Sequence, residues 1–138
     1  LQMLSKILVG IDGSQYSDKA FEYAIFLASS CKSNLLIVNV LEDYGNVGYS
    51  ISKELERQSK ELLETYRQKA KKSSLSSVAT IQLRGISAAG QILGLADTKG
   101  VDTIVIGSRG PHEIKEFLLG STTYKIVHNA KCTVVIAK

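Results

Sequence analysis

Glycines and hydroxyl-bearing side chains near the C-terminus form the stretch with the most distinctive chemistry. Two residues separate Gly107 from Gly110, nine separate Gly110 from Gly120, and Ser121 follows directly. Glycine adopts backbone angles that are closed to other residues, so successive N–H groups can turn toward one anion. A helix N-terminus with hydroxyl side chains favours the same kind of ligand. This G-x2-G-x9-G-S arrangement predicts a phosphate-binding loop, here called the glycine loop (residues 107–120).

Neighbouring side chains extend the predicted phosphate site. Arg109 can pair with phosphate through its forked guanidinium, and Gly120 removes a side chain where phosphate oxygens approach the backbone. Ser121, Thr122 and Thr123 offer hydroxyls and N–H groups at the start of a helix. The alternative is a plain glycine-rich turn in which Ser121 or Thr122 is an ordinary N-cap. The loop is neither a Walker A motif nor a GxGxxG fingerprint.

The elements that must position this loop follow from the hydrophobic pattern. Short, nearly continuous apolar runs, rich in β-branched residues, predict strands buried on both faces of a parallel sheet. A further segment, residues 78–84, alternates apolar and polar residues, which predicts a strand near an edge. The buried runs are residues 6–11, 35–40, 103–106 and 133–136.

Helical patterns separate these strands. Apolar stripes at helical spacing follow the first, second and third strands, and a last short helix is predicted over residues 122–129. This alternation predicts a doubly wound α/β fold with helices on both faces of an open sheet. Ligands of such sheets bind beyond the carboxyl ends of the strands, where the glycine loop lies.

Composition narrows the class of protein. The chain has 138 residues, 44% hydrophobic and 22% charged, as expected for one globular domain. Met3 is interpreted as the natural start, so residues 3–138 are the predicted domain. The chain shows neither a membrane-length apolar stretch nor a leader, which predicts a cytoplasmic protein without a membrane partner. The net charge is +4, and much of the positive charge lies on a predicted helix, residues 53–72, where interleaved acidic residues favour a solvated face over a nucleic-acid site.

On these motifs the chain resembles the universal stress protein family. The resemblance rests on the glycine spacing together with residues 6–14 (KILVGIDGS), 101–110 (VDTIVIGSRG) and 118–121 (LLGS), and it covers residues 3–138. It implies a Rossmann-like (adenine nucleotide alpha hydrolase-like) sheet of five parallel strands in the order 3-2-1-4-5. It also implies that ATP, AMP or ADP binds between the ends of strands one and four, with or without a bound Mg²⁺.

The resemblance also implies the residues that bind the nucleotide. Gly10, Ile11 and Asp12 would lie on the adenosine side, and the backbone of Val40 would meet adenine. Asp12 has an alternative role, because with Gln15 it forms the pattern of a capping box. The remaining residues expected to contact the ligand are Ile106, Gly107, Arg109, Gly110, Gly120, Ser121, Thr122 and Thr123.

Three positions depart from the family pattern. The family usually has proline at the positions of Ser87 and Thr133, and often valine at the position of Thr122. The first two changes touch turns and leave the predicted site alone. The third adds a hydroxyl near the expected phosphates.

These features predict a nucleotide-binding stress-response module that binds rather than rapidly transforms its ligand. No catalytic residues and no metal site are predicted from the sequence. The alternatives are a slow Mg²⁺-dependent ATPase, and a nucleotide-free module that acts through protein contacts. The apolar strand at residues 132–137 would lie at a sheet edge, which predicts a homodimer through that strand. A monomer whose own loops cover this edge is the alternative.

Overall fold

The computed structural model describes residues 3–43, 45–111 and 118–138, and part of the glycine loop therefore lies outside the described residues. Strands and helices alternate along the chain, as the hydrophobic pattern predicts. The strands are β1 (Lys6–Gly10), β2 (Asn34–Glu42), β3 (Ser77–Gly85), β4 (Thr103–Gly107) and β5 (Thr133–Ala137). The helices are α1 (Gln15–Cys31), α2 (Tyr49–Lys71), α3 (Ala88–Lys99) and α4 (Ser121–Asn129).

The strands form one parallel five-stranded sheet in the order β3-β2-β1-β4-β5, which confirms the predicted fold. The register of β1 against β2 runs only from Lys6↔Asn34 to Gly10↔Val38. The register of β2 against β3 continues to Glu42↔Gly85. The carboxyl end of β2 therefore projects past the end of its neighbour β1.

Two apolar layers cover the sheet, one on each face. Alternate strand residues Ile7, Val9 and Ile37 pack against α1 and α2, while Leu8, Leu36 and Ile104 pack against α3 and α4. Continuous apolar runs are needed because successive side chains of a strand point to opposite faces and both faces are covered. The strands therefore lie between two apolar layers, and their carboxyl ends meet at one edge of the sheet.

The edge strand β3 has the predicted alternation. Ile81 and Leu83 pack into the layer of α3 and α4, whereas Gln82 on the opposite face donates from Nε2 to the carbonyl of Glu56 in α2, at 3.1 Å. Among the described residues, no helix is both long and apolar enough to cross a membrane.

Candidate functional site

A cavity of about 320 Å³ opens beyond the carboxyl ends of β1, β2 and β4, beside the first turn of α4. Its volume lies within the usual range for small-molecule sites. Every site residue predicted from the sequence lines this cavity: Gly10, Ile11, Asp12, Val40, Ile106, Gly107, Arg109, Gly110, Gly120, Ser121, Thr122 and Thr123.

Sequence reasoning missed several lining residues. Val38 and Glu42 share a face of β2 with Val40, so the period-two pattern of a strand could have indicated them. Ile92 belongs to the apolar stripe of α3, but nothing local indicates that this stripe reaches a cavity. The other missed residues are Ser17, Asn39, Ala88 and Pro111.

One end of the cavity is apolar. We call it the apolar end and define it by Gly10, Val38, Val40, Ile92 and Ile106. A Cβ added at Gly10 would lie 3.5 Å from Cδ1 of Ile92 and 3.8 Å from Cδ1 of Ile106. A methyl group at this position would therefore make ordinary contact with Ile92 and Ile106, and its absence leaves that space to the cavity.

The backbone of Val40 borders this apolar end. If β1 continued beyond Gly10, the Ile11 carbonyl would accept a ladder hydrogen bond from the Val40 N–H. The pairing of β1 with β2 stops, however, at Gly10↔Val38. The Ile11 carbonyl instead accepts a hydrogen bond from Nδ2 of the buried Asn39, at 2.7 Å, and Asn39 Oδ1 accepts one from Ser59, at 2.6 Å. The peptide edge of Val40 therefore lies beyond the ladder, on the wall of the cavity.

The opposite end of the cavity is built mainly from backbone and polar groups. We call it the glycine-loop end; its members are Asp12, Gly107, Arg109, Gly110 and residues 120–123. Ser108 anchors it, because its N–H donates to Ala137 at 2.7 Å and its carbonyl accepts from the Gly120 N–H at 2.8 Å. The start of the glycine loop is thus joined both to β5 and to the first turn of α4.

The reason predicted for the glycine at position 107 is wrong. Among the described glycines, positive φ angles occur at Gly13, Gly45 and Gly100 and not at Gly107 or Gly110. A Cβ at Gly107 would instead lie 2.8 Å from the backbone carbonyl carbon of Tyr16, a distance at which atoms must move apart. Glycine is required here so that the end of β4 can contact the first turn of α1.

The first turn of α4 faces the cavity without a side-chain cap. Gly120 is the N-cap, so the alternative in which Ser121 or Thr122 caps the helix is wrong. The Thr123 hydroxyl is buried and donates to the carbonyl of Gly107 at 2.7 Å, so it braces the loop rather than facing a ligand. Because the first N–H groups of a helix lack acceptors within the helix, this terminus suits an anion.

Asp12 does not cap α1, which corrects the predicted capping box. Ser14 is the N-cap, and its side chain accepts a hydrogen bond from the Ser17 N–H. Asp12 accepts one from the Ser14 N–H through Oδ1 at 2.8 Å. Its Oδ2 lies 3.6 Å from where a Cβ of Gly110 would be. The exposed carboxylate therefore lies against the glycine loop.

Arg109 brings positive charge to the glycine-loop end. Its side chain is half-buried, and its guanidinium carbon lies 4.7 Å from the ring centroid of Tyr16. Among the described residues, no group of three or more acidic, histidine or cysteine side chains could hold a metal ion. The arrangement suits a ligand with a flat apolar part and an anionic part.

Comparison with known proteins identifies the family. The model of the universal stress protein family matches residues 3–138. The chain is 33% identical to universal stress protein YxiE of Bacillus subtilis, over 99% of this chain and 100% of that protein. The solved structure of universal stress protein UspA from Lactobacillus plantarum has a TM-score of 0.84 at 23% identity, covering 98% of each chain.

Two solved structures similar to this chain contain nucleotides. A universal stress protein from Archaeoglobus fulgidus in complex with dAMP has a TM-score of 0.75 at 20% identity, over 99% of each chain. A universal stress protein in complex with cAMP has a TM-score of 0.76 at 22% identity, over 97% of each chain. At these identities the likeness concerns the fold.

Proposed function

This chain belongs to the universal stress protein family, and we propose that it is a cytoplasmic stress-response regulatory module that binds an adenine nucleotide, ATP in the first place. One observation carries the proposal: the apolar end and the N-terminus of α4, which has no side-chain cap, line the same cavity. Similar folds bind dAMP and cAMP, ligands that share the adenine ring and at least one phosphate.

The apolar end would take the base. The peptide of Val40 offers one donor and one acceptor side by side, beyond the end of the β1–β2 ladder. Adenine presents the complementary pair, N1 as acceptor and the N6 amino group as donor. Guanine presents the reverse pattern, which would set donor against donor and acceptor against acceptor. We therefore expect ATP to be preferred over GTP.

The glycine-loop end would take the ribose and phosphates. The positive end of the α4 dipole and the guanidinium of Arg109 both favour negative charge there. Ser121 and Thr122 line the same end and can add hydroxyl contacts. Mg²⁺ is commonly held by one or two carboxylates together with phosphates of the ligand. Asp12, which lines the same end, would be such a carboxylate.

Binding of ATP is testable by stability. At about 100 times the dissociation constant, a ligand that binds only the folded state stabilises it by roughly 2.7 kcal/mol, which is easily seen in thermal unfolding. Protein freed of copurified nucleotide should respond to ATP with Mg²⁺ and less to GTP, whereas Gly120→Val should respond weakly. Absence of any shift with millimolar ATP in the wild type would reject the proposal and favour a nucleotide-free interaction module.

A slow Mg²⁺-dependent ATPase is the second candidate, favoured by the exposed Asp12 carboxylate at the glycine-loop end. It predicts steady phosphate release that disappears in Asp12→Ala. Binding without chemistry predicts no release above the uncatalysed level in either protein. The two candidates share the cavity, so this assay separates them without depending on the binding measurement.

We further propose a homodimer through the edge strand β5. The N–H of Thr133 and the carbonyl of Ala137 bond toward β4, so the alternate residues Val134 and Ile136 direct their backbone groups outward. Such an edge can pair with its own copy about a two-fold axis.

The outward N–H of Val134 allows a direct test of this dimer. Val134→Pro removes that N–H and leaves the β4–β5 ladder intact, so it should lower the dimer fraction in light scattering. Val134→Thr, which keeps the N–H and the shape, should remain dimeric. A monomeric wild type, or a dimeric proline variant, would exclude this interface.

A further inference from the structure

We propose that Tyr16 is a positioning residue that holds the Arg109 guanidinium at the glycine-loop end, and so determines how strongly the cavity prefers ATP over adenosine. The inference rests on the nucleotide-binding function proposed above. Tyr16 does not line the cavity, whereas Arg109 does. Any effect of Tyr16 on a ligand must therefore pass through another residue.

The position of the Tyr16 ring is set by the packing of α1 on β4. Tyr16 is the second residue of α1, and its backbone approaches Gly107 so closely that an added Cβ would lie 2.8 Å from its carbonyl carbon and 2.9 Å from its carbonyl oxygen. Gly107 precedes Arg109 by two residues. The Tyr16 ring and the Arg109 side chain are therefore attached to two backbone segments that lie in contact with each other.

The Tyr16 ring lies against the positively charged end of Arg109. The guanidinium carbon lies over the Tyr16 ring, 4.7 Å from its centroid. A cation over an aromatic face is attracted by the negative charge of the π system. A guanidinium keeps its positive charge in such a contact, so it still attracts an anionic phosphate.

Restriction of the arginine before binding should increase phosphate affinity. A long side chain that is free in solution loses rotamer freedom when it binds, and this loss weakens the complex. The Tyr16 ring reduces that loss by limiting the rotamers of Arg109 in advance. The benefit exists only for ligands that reach Arg109, so adenosine, which has no phosphate, should not gain from it.

Titration calorimetry with ATP and with adenosine tests this role. We expect Tyr16→Leu to weaken ATP about fivefold and to leave adenosine within about twofold, from the usual strength of an exposed cation–π contact. Tyr16→Phe, which keeps the aromatic face, should retain the wild-type ratio of the two affinities. Tyr16→Gln is a second non-aromatic variant, for use if the leucine protein fails to fold.

A double-mutant cycle with Arg109→Ala decides the mechanism. In the Arg109→Ala background, Tyr16→Leu should no longer change the affinity for ATP. An equal loss for ATP and adenosine, an equal loss in the phenylalanine variant, or an undiminished effect without Arg109 would each overturn the role of Tyr16. If the wild type binds neither ligand, the proposed function fails and this inference fails with it. If the wild type binds ATP but the cycle shows no coupling between Tyr16 and Arg109, the proposed function stands and only the role of Tyr16 is rejected.

Discussion

The two ends of the cavity are built in different ways. The apolar end consists of side chains on β2, β4 and α3 around Gly10 of β1, held by the ladder and by the apolar layer beneath it. The glycine-loop end combines polar side chains such as Asp12 and Arg109 with glycines, backbone groups and one helix terminus, held by contacts such as that of Thr123 with Gly107. Apolar side chains thus shape the first end, whereas glycines and close backbone approach position the second.

This difference predicts different consequences of mutation. A change at the apolar end should alter affinity for ATP and adenosine alike, because both ligands carry the base. A change at the glycine-loop end should alter ATP more than adenosine, because only ATP carries phosphate. The ratio of the two affinities is therefore the measurement that separates the ends.

The largest effect is expected for Asn39→Leu, beside the apolar end. Leucine has nearly the same shape but cannot donate to Ile11 or accept from Ser59, so two buried polar groups lose their partner. We expect the free energy of unfolding to fall by about 3 kcal/mol. The released Ile11 carbonyl can then take the Val40 N–H, so ATP and adenosine should weaken by the same factor.

Urea unfolding and titration calorimetry measure the two parts of this prediction. Ser59→Ala is the matched control, because it removes one partner of Asn39 and leaves the bond to Ile11 in place. It should cost about 1 kcal/mol and leave both affinities unchanged. A selective loss of ATP in Asn39→Leu would contradict the assignment of this end to the base.

A smaller effect is expected for Gly107→Ala, at the glycine-loop end. The new methyl group would meet the Tyr16 backbone at 2.8 Å, so β4 and α1 must separate. We expect a loss of about 2 kcal/mol in unfolding free energy. Affinity for ATP should fall more than affinity for adenosine, because the loop that follows Gly107 moves with it.

Gly110→Ala is the control for that experiment. A Cβ at Gly110 would lie 3.6 Å from Asp12 Oδ2, an ordinary contact, and the residue does not have positive φ. Its unfolding free energy should stay within about 0.5 kcal/mol of the wild type. If both alanine variants are equally stable, close packing against Tyr16 is not the reason for glycine at position 107.

The smallest effect concerns the connection between the two ends. Helix α1 begins beside the glycine-loop end, and α2 carries Ser59 beside the apolar end. Tyr66 of α2, only 2% exposed, donates its hydroxyl to Asp18 of α1. Burial, followed by this hydrogen bond, raises the pKa of Tyr66 to about 12.

Because this pKa is raised in the folded state, the fold favours the protonated phenol. The corresponding stability is fully present below about pH 10, the pKa of an unfolded tyrosine, and is lost as the pH rises toward 12. Asp18 is half-buried and water weakens the interaction, so we expect a loss of roughly 1 kcal/mol. Urea unfolding of the wild type and Tyr66→Phe at pH 9 and pH 11.5 should show the stability difference narrowing. If the difference in unfolding free energy between the two proteins is the same at both pH values, ionisation of Tyr66 does not affect stability.

Much of the architecture follows from local pattern. Continuous apolar runs predicted the parallel strands, and helical spacing of apolar residues predicted the helices between them. Strand ends were less predictable, since β2 continues to Glu42 only because β3 pairs with it to Gly85. The capping box predicted at Asp12 is wrong because Ser14, two residues later, is the N-cap of α1.

The sequence by itself determined the alternation of strands and helices and the position of the glycine loop, because hydrophobic period and glycine spacing are local properties of the chain. The strand order and the residues expected on the adenosine side came from the resemblance to the universal stress protein family. Only the tertiary structure decided why those residues are there. Gly107 needs to be glycine because of Tyr16, Asn39 takes the carbonyl of Ile11, and Thr123 turns inward to Gly107. Each of these contacts joins residues far apart in the chain, and their distance depends on how the helices pack across the sheet.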